Sequence, residues 1–199
     1  MLIPSHLLSR LFARHNDSHK YDYGRVLVIG GSVSMAGAPV LAGRAALRSG
    51  AGVVELCVPE CIATVAASFD ACLITHHFAS DANGCFTAAC LDGLYALAMR
   101  ADVIVCGPGM GRAPSVEAIV KKLWQDMPLP IIFDADALFV WSKMNPEEIA
   151  LHAGARIITP HVGEMQRLLD DSERPASLSA EYSRAQLENT AIEFAKRNS

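Results

Sequence analysis

Arg25-Val26-Leu27-Val28-Ile29-Gly30-Gly31-Ser32 is the stretch on which the fold of this chain turns. Its apolar residues run without alternation. The segment therefore predicts a strand covered on both faces, as the inner strands of parallel sheets are. The paired glycines predict a sharp exit, and the small residues of Ala36–Ser49 predict a helix stopped by Gly50 and Gly52. Working outward, Val53–Val58 (ended by Pro59), Ala71–Thr75, Asp102–Cys106, Ile131–Phe133 and Arg156–Ile158 read as further strands. Cys61–Ser68, Thr87–Arg100, Ser115–Gln125, Gly163–Leu169 and Glu181–Lys196 read as helices, with loops at Asp81–Gly84 and Asp170–Ser179. Short strands alternating with helices predict a three-layer α/β/α fold with a mostly parallel sheet. The expected organisation is a single domain over residues 1–199.

Composition narrows the function classes. Hydrophobic residues make up 51% of the chain and charged residues 19%, enough apolar material for a large core and too much for a disordered chain. No run approaches the roughly 18 apolar residues of a membrane span. Met1 to Lys20 has neither the apolar core nor the cleavage pattern of a signal peptide, so a cytoplasmic location is expected. A net charge of −4 gives no bulk attraction for nucleic acid or an anionic membrane, and neither is expected as a partner. Cys57, Cys61, Cys72, Cys85, Cys90 and Cys106 form no C-x-x-C pair and read as buried thiols in a reducing compartment. The histidines lack zinc-ligand spacing, and no protein metal site is expected.

Unusual residues cluster just after the strands, where parallel sheets bind ligands. Gly30-Gly31-Ser32, leading through Gly37-Ala38 into a helix, offers backbone amides and a helix N-terminus to an anion. It is neither G-x-G-x-x-G nor G-x-x-x-x-G-K-[ST]. Gly107-Pro108-Gly109-Met110-Gly111 is a second such loop. In Asp134-Ala135-Asp136, Asp136 could serve as an N-cap, whereas Asp134 at the strand end could hold a metal, accept a hydroxyl proton or bind a polar ligand group. In Thr159-Pro160-His161-Val162-Gly163-Glu164, the His–Glu pair could be a helix cap or could position hydrated Mg²⁺ or a phosphate. Together the four motifs predict a site for a phosphate-bearing small molecule.

Taken in order, His19-Lys20, Tyr23 to Ser32, Gly37-Ala38, Leu47 to Gly52, Gly107 to Gly111, Asp134 to Leu138 and Thr159 to Glu164 resemble the ADP/ATP-dependent NAD(P)H-hydrate dehydratases, of the ribokinase-like superfamily. Tyr21 and Met35 depart from the family pattern, which more often has glycine and tyrosine there. The resemblance implies dehydration of the S epimer of hydrated NADH or NADPH at the expense of ADP or ATP, with Mg²⁺. It implies an NAD(P)H-hydrate epimerase as partner and a homo-oligomer. By the same resemblance, Ala38, Gly109 and His161 would contact the hydrated dinucleotide. Gly30, Gly31, Ser32, Gly107 and Gly111 would cradle phosphate, and Asp134 and Glu164 would be catalytic. The family continues with a Gly-rich segment ending in Gly-Asp that binds the nucleotide phosphates. This sequence stops before it, so the resemblance implies a fold incomplete at the C-terminus and little activity for the chain alone. A ribokinase-like vitamin or sugar kinase, which usually has Asn at His161, and a nucleotide-binding chain without activity are the competing expectations.

Overall fold

The computed structural model describes residues 14–169 and 184–198. Among them, β1 (Arg25–Ile29), β2 (Val53–Pro59), β3 (Ile74–Phe78), β4 (Val103–Cys106), β5 (Ile131–Phe133) and β6 (Arg156–Ile158) form one sheet. Every pairing is parallel, and the spatial order is β3-β2-β1-β4-β5-β6. The α-helices are α1 (Gly37–Arg48), α2 (Ala63–Phe69), α3 (Leu91–Ala98), α4 (Pro114–Asp126), α5 (Asp136–Trp141), α6 (Pro146–Ala150), α7 (Val162–Leu168) and α8 (Arg184–Arg197). Short 3-10 turns lie at Lys20–Tyr23, Glu60–Ile62 and Ala88–Cys90.

The two faces of β1 seed two cores. Leu27 and Ile29 pack with Phe86, Leu94, Ile104, Ile119 and Phe133 on one side. Val28 packs with Val40, Val54, Leu56, Val58 and Ala66 on the other. From β1 the chain runs outward to β3, then returns to lay β4 beside β1 and runs outward the other way. Right-handed crossovers place the helices of the two runs on opposite faces. That is why α1 and α2 cover the second core and α3, α4 and α5 the first. Each fully buried Leu, Ile or Val in these layers is worth roughly 1.5–3 kcal/mol against exposure.

The structure moves some expected elements. The third strand is Ile74–Phe78 rather than Ala71–Thr75. Asp70 folds the earlier residues into a turn: its Oδ1 accepts the Cys72 amide at 3.0 Å and its carbonyl accepts the Leu73 amide at 3.2 Å. Thr75, His76 and His77 stand in the strand because β3 is an edge, where polar side chains are tolerated. The expected Thr87–Arg100 helix opens as a 3-10 turn and is α-helical only over Leu91–Ala98. α6, opened by an Asn145–Glu148 capping box, had no counterpart in the sequence reading. Cys61 and Cys72 are exposed, unlike the other four cysteines, which are buried as expected, and all six are free. The expected Asp170–Ser179 loop and the first residues of the expected C-terminal helix lie outside the described residues.

One buried charge ties three strands. Glu55 of β2 accepts a hydrogen bond from Arg25 Nη2 of β1 at 3.0 Å and pairs with His76 Nε2 of β3 at 2.6 Å. Burial pushes its carboxyl upward, but the hydrogen bonds and charges of His76 and Arg25 outweigh that and hold it below the usual carboxylate value.

Candidate functional site

In a parallel sheet all strand ends of one sense lie together, so the four motifs leave the same end of the sheet. They leave from β1, β4, β5 and β6, which are neighbours in the strand order. β1 and β4 are also where the order reverses, the switch point at which doubly wound sheets open a crevice. The two glycine loops flank it. Gly31 N–H donates to Pro108 O at 2.8 Å, joining one loop to the other. Gly109 has φ of 67°, and a Cβ on it would lie 2.7 Å from Met35 Cβ and 3.1 Å from Ala38 Cβ. Glycine at 109 therefore lets the β4 loop lie on the start of α1, with Ala38 against it. Gly107, at φ 122°, likewise has no room for a side chain beside Asp134 O.

Buried backbone amides are nearly always paired. Gly30, Gly31 and Gly107 obey: their amides donate to Cys57 O, Pro108 O and Ile29 O, and the amide of the half-buried Gly111 donates to Asp136 Oδ2. Ser32 and Gly109 are buried too, yet among the described residues their amides meet no acceptor. Two open donors on facing loops suit an anion.

Asp134 stands at the exit of β5, where its Oδ1 accepts the Thr159 hydroxyl at 2.9 Å, linking β5 to β6. Its other oxygen has no partner among the described residues. Asp136 is not an N-cap. Ala135 holds that position, at φ 51° and ψ −115°. Asp136 instead accepts the Gly111 amide at 2.9 Å and faces Arg112 Nε at 3.4 Å, pinning the β4 loop to α5. His161 caps α7: its Nδ1 accepts from the amides of Gly163 at 3.0 Å and Glu164 at 3.3 Å. That leaves the proton of the neutral ring on Nε2, which lies 3.3 Å from Glu164 Oε1, while Glu164 Oε2 accepts the His161 amide at 2.9 Å. Glu164 is buried and the His161 ring is 71% exposed. The pair is thus a capping box with imidazole in place of a hydroxyl, presenting one ring edge to solvent.

Cys106 forms the floor beneath Gly107, and burial pushes its thiol up to about 12, so it is inert at neutral pH. No cluster of three or more His, Cys, Asp or Glu suited to a metal ion is present among the described residues. Nor is any helix among them long and apolar enough to cross a membrane. A cavity of about 560 Å³ lies apart from the glycine loops, between β6 and α8, lined by Trp124, Trp141, Arg156, Pro160 and Phe194 among others.

A doubly wound sheet with glycine loops at its switch point is a fold this chain shares with solved structures. A ribokinase-like superfamily protein from Enterococcus faecalis superposes with a TM-score of 0.69 at 22% identity, over 96% of this chain and 62% of that one. The chain belongs to the NAD(P)H-hydrate dehydratase family, whose sequence profile matches residues 26–197. A bifunctional NAD(P)H-hydrate repair enzyme from Salinibacter ruber is 38% identical over 85% of this chain. An ATP-dependent (S)-NAD(P)H-hydrate dehydratase from Drosophila melanogaster is 32% identical over 81% of it. The chain spans 32% of the length of the first relative and 52% of the second. The crystal structure of an ADP/ATP-dependent NAD(P)H-hydrate dehydratase from Bacillus subtilis, co-crystallized with ATP/Mg²⁺, aligns with a TM-score of 0.61 at 26% identity, over 93% of this chain and 57% of that one.

Proposed function

We propose that this chain takes part in repairing hydrated NADH and NADPH, dehydrating the S epimer with ADP or ATP. The observation that carries this reading is the pair of open amides, Ser32 and Gly109, on facing loops at the switch point, with the Asp134 carboxylate at the exit of the next strand, β5. ADP or ATP with Mg²⁺ supplies a phosphoryl group for the hydroxyl of the hydrate, replacing hydroxide, a poor leaving group, by one that departs as phosphate.

The donor set fits that chemistry. The Ser32 and Gly109 amides hold phosphate oxygens, within a cradle shaped by Gly30, Gly31, Gly107 and Gly111. Ala38, packed under Gly109, shapes the wall for the hydrated dinucleotide. Asp134, oriented by Thr159, uses its remaining oxygen to accept the hydroxyl proton or bind a hydrated Mg²⁺. Glu164 has both oxygens engaged by His161, so its part is to fix the ring whose exposed edge meets substrate. Without three ligating side chains gathered among the described residues, Mg²⁺ would be held largely by phosphate and water. An epimerase supplying the S epimer, a homo-oligomeric assembly and a cytoplasmic location complete the reading.

Calorimetry with MgADP, MgATP and hydrated NADPH tests it, alongside a turnover assay that includes vitamin and sugar acceptors. The expected result is nucleotide and hydrate binding that Gly109→Ala abolishes. Phosphorylation of a vitamin or sugar, or failure to bind any nucleotide, would overturn it.

A further inference from the structure

The residues from Asp81 to Phe86 follow β3, at the sheet edge two strands from β1, yet they reach both glycine loops. Asp81 Oδ1 accepts the amides of Asn83 and Cys85, each at 2.9 Å. The Asp81 amide donates to Cys85 O at 2.9 Å and the Gly84 amide to Asp81 O at 3.0 Å. One carboxylate oxygen thus folds the segment into a hook, and the Ser80–Phe86 bridge closes its base. The hook touches the β1 loop, the β4 loop and α4, and Cys61 Sγ also lies 3.8 Å from Gly84 O. Gly84 O accepts the Val33 amide of the β1 loop at 3.2 Å, and a Cβ on Gly84 would collide with the Val33 side chain. Cys85 Sγ fills the space beside the β4 loop, where a Cβ on Gly111 would lie 2.7 Å from it. Phe86 O accepts the Ser115 hydroxyl of α4 at 2.6 Å. Gly84, Cys85 and Phe86 are buried, so these are packed contacts rather than surface encounters.

We infer that Asp81 is a positioning residue for the candidate site: the hook it folds sets the spacing between the β1 and β4 loops. Across the crevice the two loops are joined by the Gly31–Pro108 bond, and the hook supplies a second tie at Val33 and Gly111. Ser32 is the chain neighbour of Val33, and Gly109 lies two residues before Gly111. Moving either anchor therefore moves the open amides. Where the ligand is concerned, this inference rests on the nucleotide reading above.

The test titrates MgADP into the full chain and four variants. Asp81→Ala removes the acceptor, and Asp81→Asn keeps an Oδ1 that can still take both amides. Gly84→Ala leaves the hook bonded but pushes on Val33. Asp102→Ala is the control for general destabilisation, since Asp102 Oδ2 accepts the Arg25 amide at 2.7 Å, at the opposite end of β1. Displacements on the order of 1 Å cost up to about 100-fold in productive geometry, so Asp81→Ala and Gly84→Ala are expected to weaken MgADP about tenfold or more. Asp81→Asn restores affinity, and Asp102→Ala leaves it unchanged whatever its melting temperature. Equal weakening in Asp102→Ala, or none in Asp81→Ala and Gly84→Ala, overturns the inference. Hydrogen exchange separates it from the nucleotide reading. The Val33 and Gly111 amides should speed up together in Asp81→Ala with no ligand present. If the wild type binds no MgADP, the nucleotide reading falls, and unchanged exchange at both amides would sink the hook as well.

Discussion

Ala135 carries a backbone conformation that an L side chain rarely adopts, with φ at 51° and ψ at −115°. It does so between two functional candidates, Asp134 and the Gly111 anchor Asp136. Such strain persists only where the surroundings impose it. Ala135→Gly is expected to raise stability by about 1 kcal/mol, because glycine reaches this region without the Cβ clash. Urea unfolding checks it, and a lowered midpoint would contradict the strain argument. At His161 two roles can be separated by chemistry. His161→Ala removes the acceptor for two α7 amides and is expected to cost about 1 kcal/mol. His161→Asn can restore the cap but lacks the exposed imidazole edge. It should recover the melting temperature without recovering affinity for hydrated NADPH. Recovery of both would make His161 a cap alone. The His161–Glu164 pairing was legible in the sequence as i,i+3 spacing before a helix. The part played by Asp136 was not, because its partner, the Gly111 amide, lies 25 residues away and only the fold brings the two together.

Among the elements, β1, β2, β4 and β5 were readable because each is a short apolar run covered on both faces, and β6 because Ile157 and Ile158 end at the Thr159-Pro160 break although it is an edge. β3 was displaced in the reading because its own residues are polar, and the apolar Ala71-Cys72-Leu73 that mimicked a strand is a turn held by Asp70. What fixes β3 is partly the Glu55 network, which reaches from β1 through β2 to His76. This network gives the sheet an acid limit. Glu55 is held below the usual carboxylate value in the folded chain, so the unfolded chain takes up the proton first as pH falls. Its stabilising contribution is complete above about pH 4.3, the unperturbed value, and disappears as pH drops through the lower folded value. Glu55→Gln is expected to be less stable at neutral pH and to show a shallower loss of stability below pH ~4. Denaturant melts across pH 2.5–7 measure this, and parallel acid limbs in the two proteins would exclude Glu55 as the cause.

At the scale of the whole molecule, strand order was the part hidden from the sequence. Nothing in β4 itself says that it returns to lie beside β1, and that return builds the switch point. The sequence did place all four motifs at strand exits. It could not show that two of them face each other across a crevice, or that the loop after β3 crosses to brace both. The same order predicts a gradient of rigidity. β1 and β4 are flanked by strands on both sides, whereas β3 and β6 are edges among the described residues, and Ile157 of β6 is 55% exposed. Native-state hydrogen exchange should be slowest in β1 and β4 and faster by orders of magnitude in β6. Equal protection in β6 and β1 would mean that the β6 edge is covered.

The aromatic packing around β6 also decides what an optical experiment can see. The chain has two tryptophans, and they belong to one cluster: Trp124 and Trp141 have ring centroids 5.9 Å apart, with Phe194 of α8 5.5 Å from Trp141. The His152 ring stands edge-on to Trp124, with centroids 6.0 Å apart. Intrinsic fluorescence is therefore a one-sided signal. It reports first on the docking of α8 and the packing of the β6 edge. A probe placed on the exposed Cys61, beside the Gly84 carbonyl, would report from the side of the glycine loops instead.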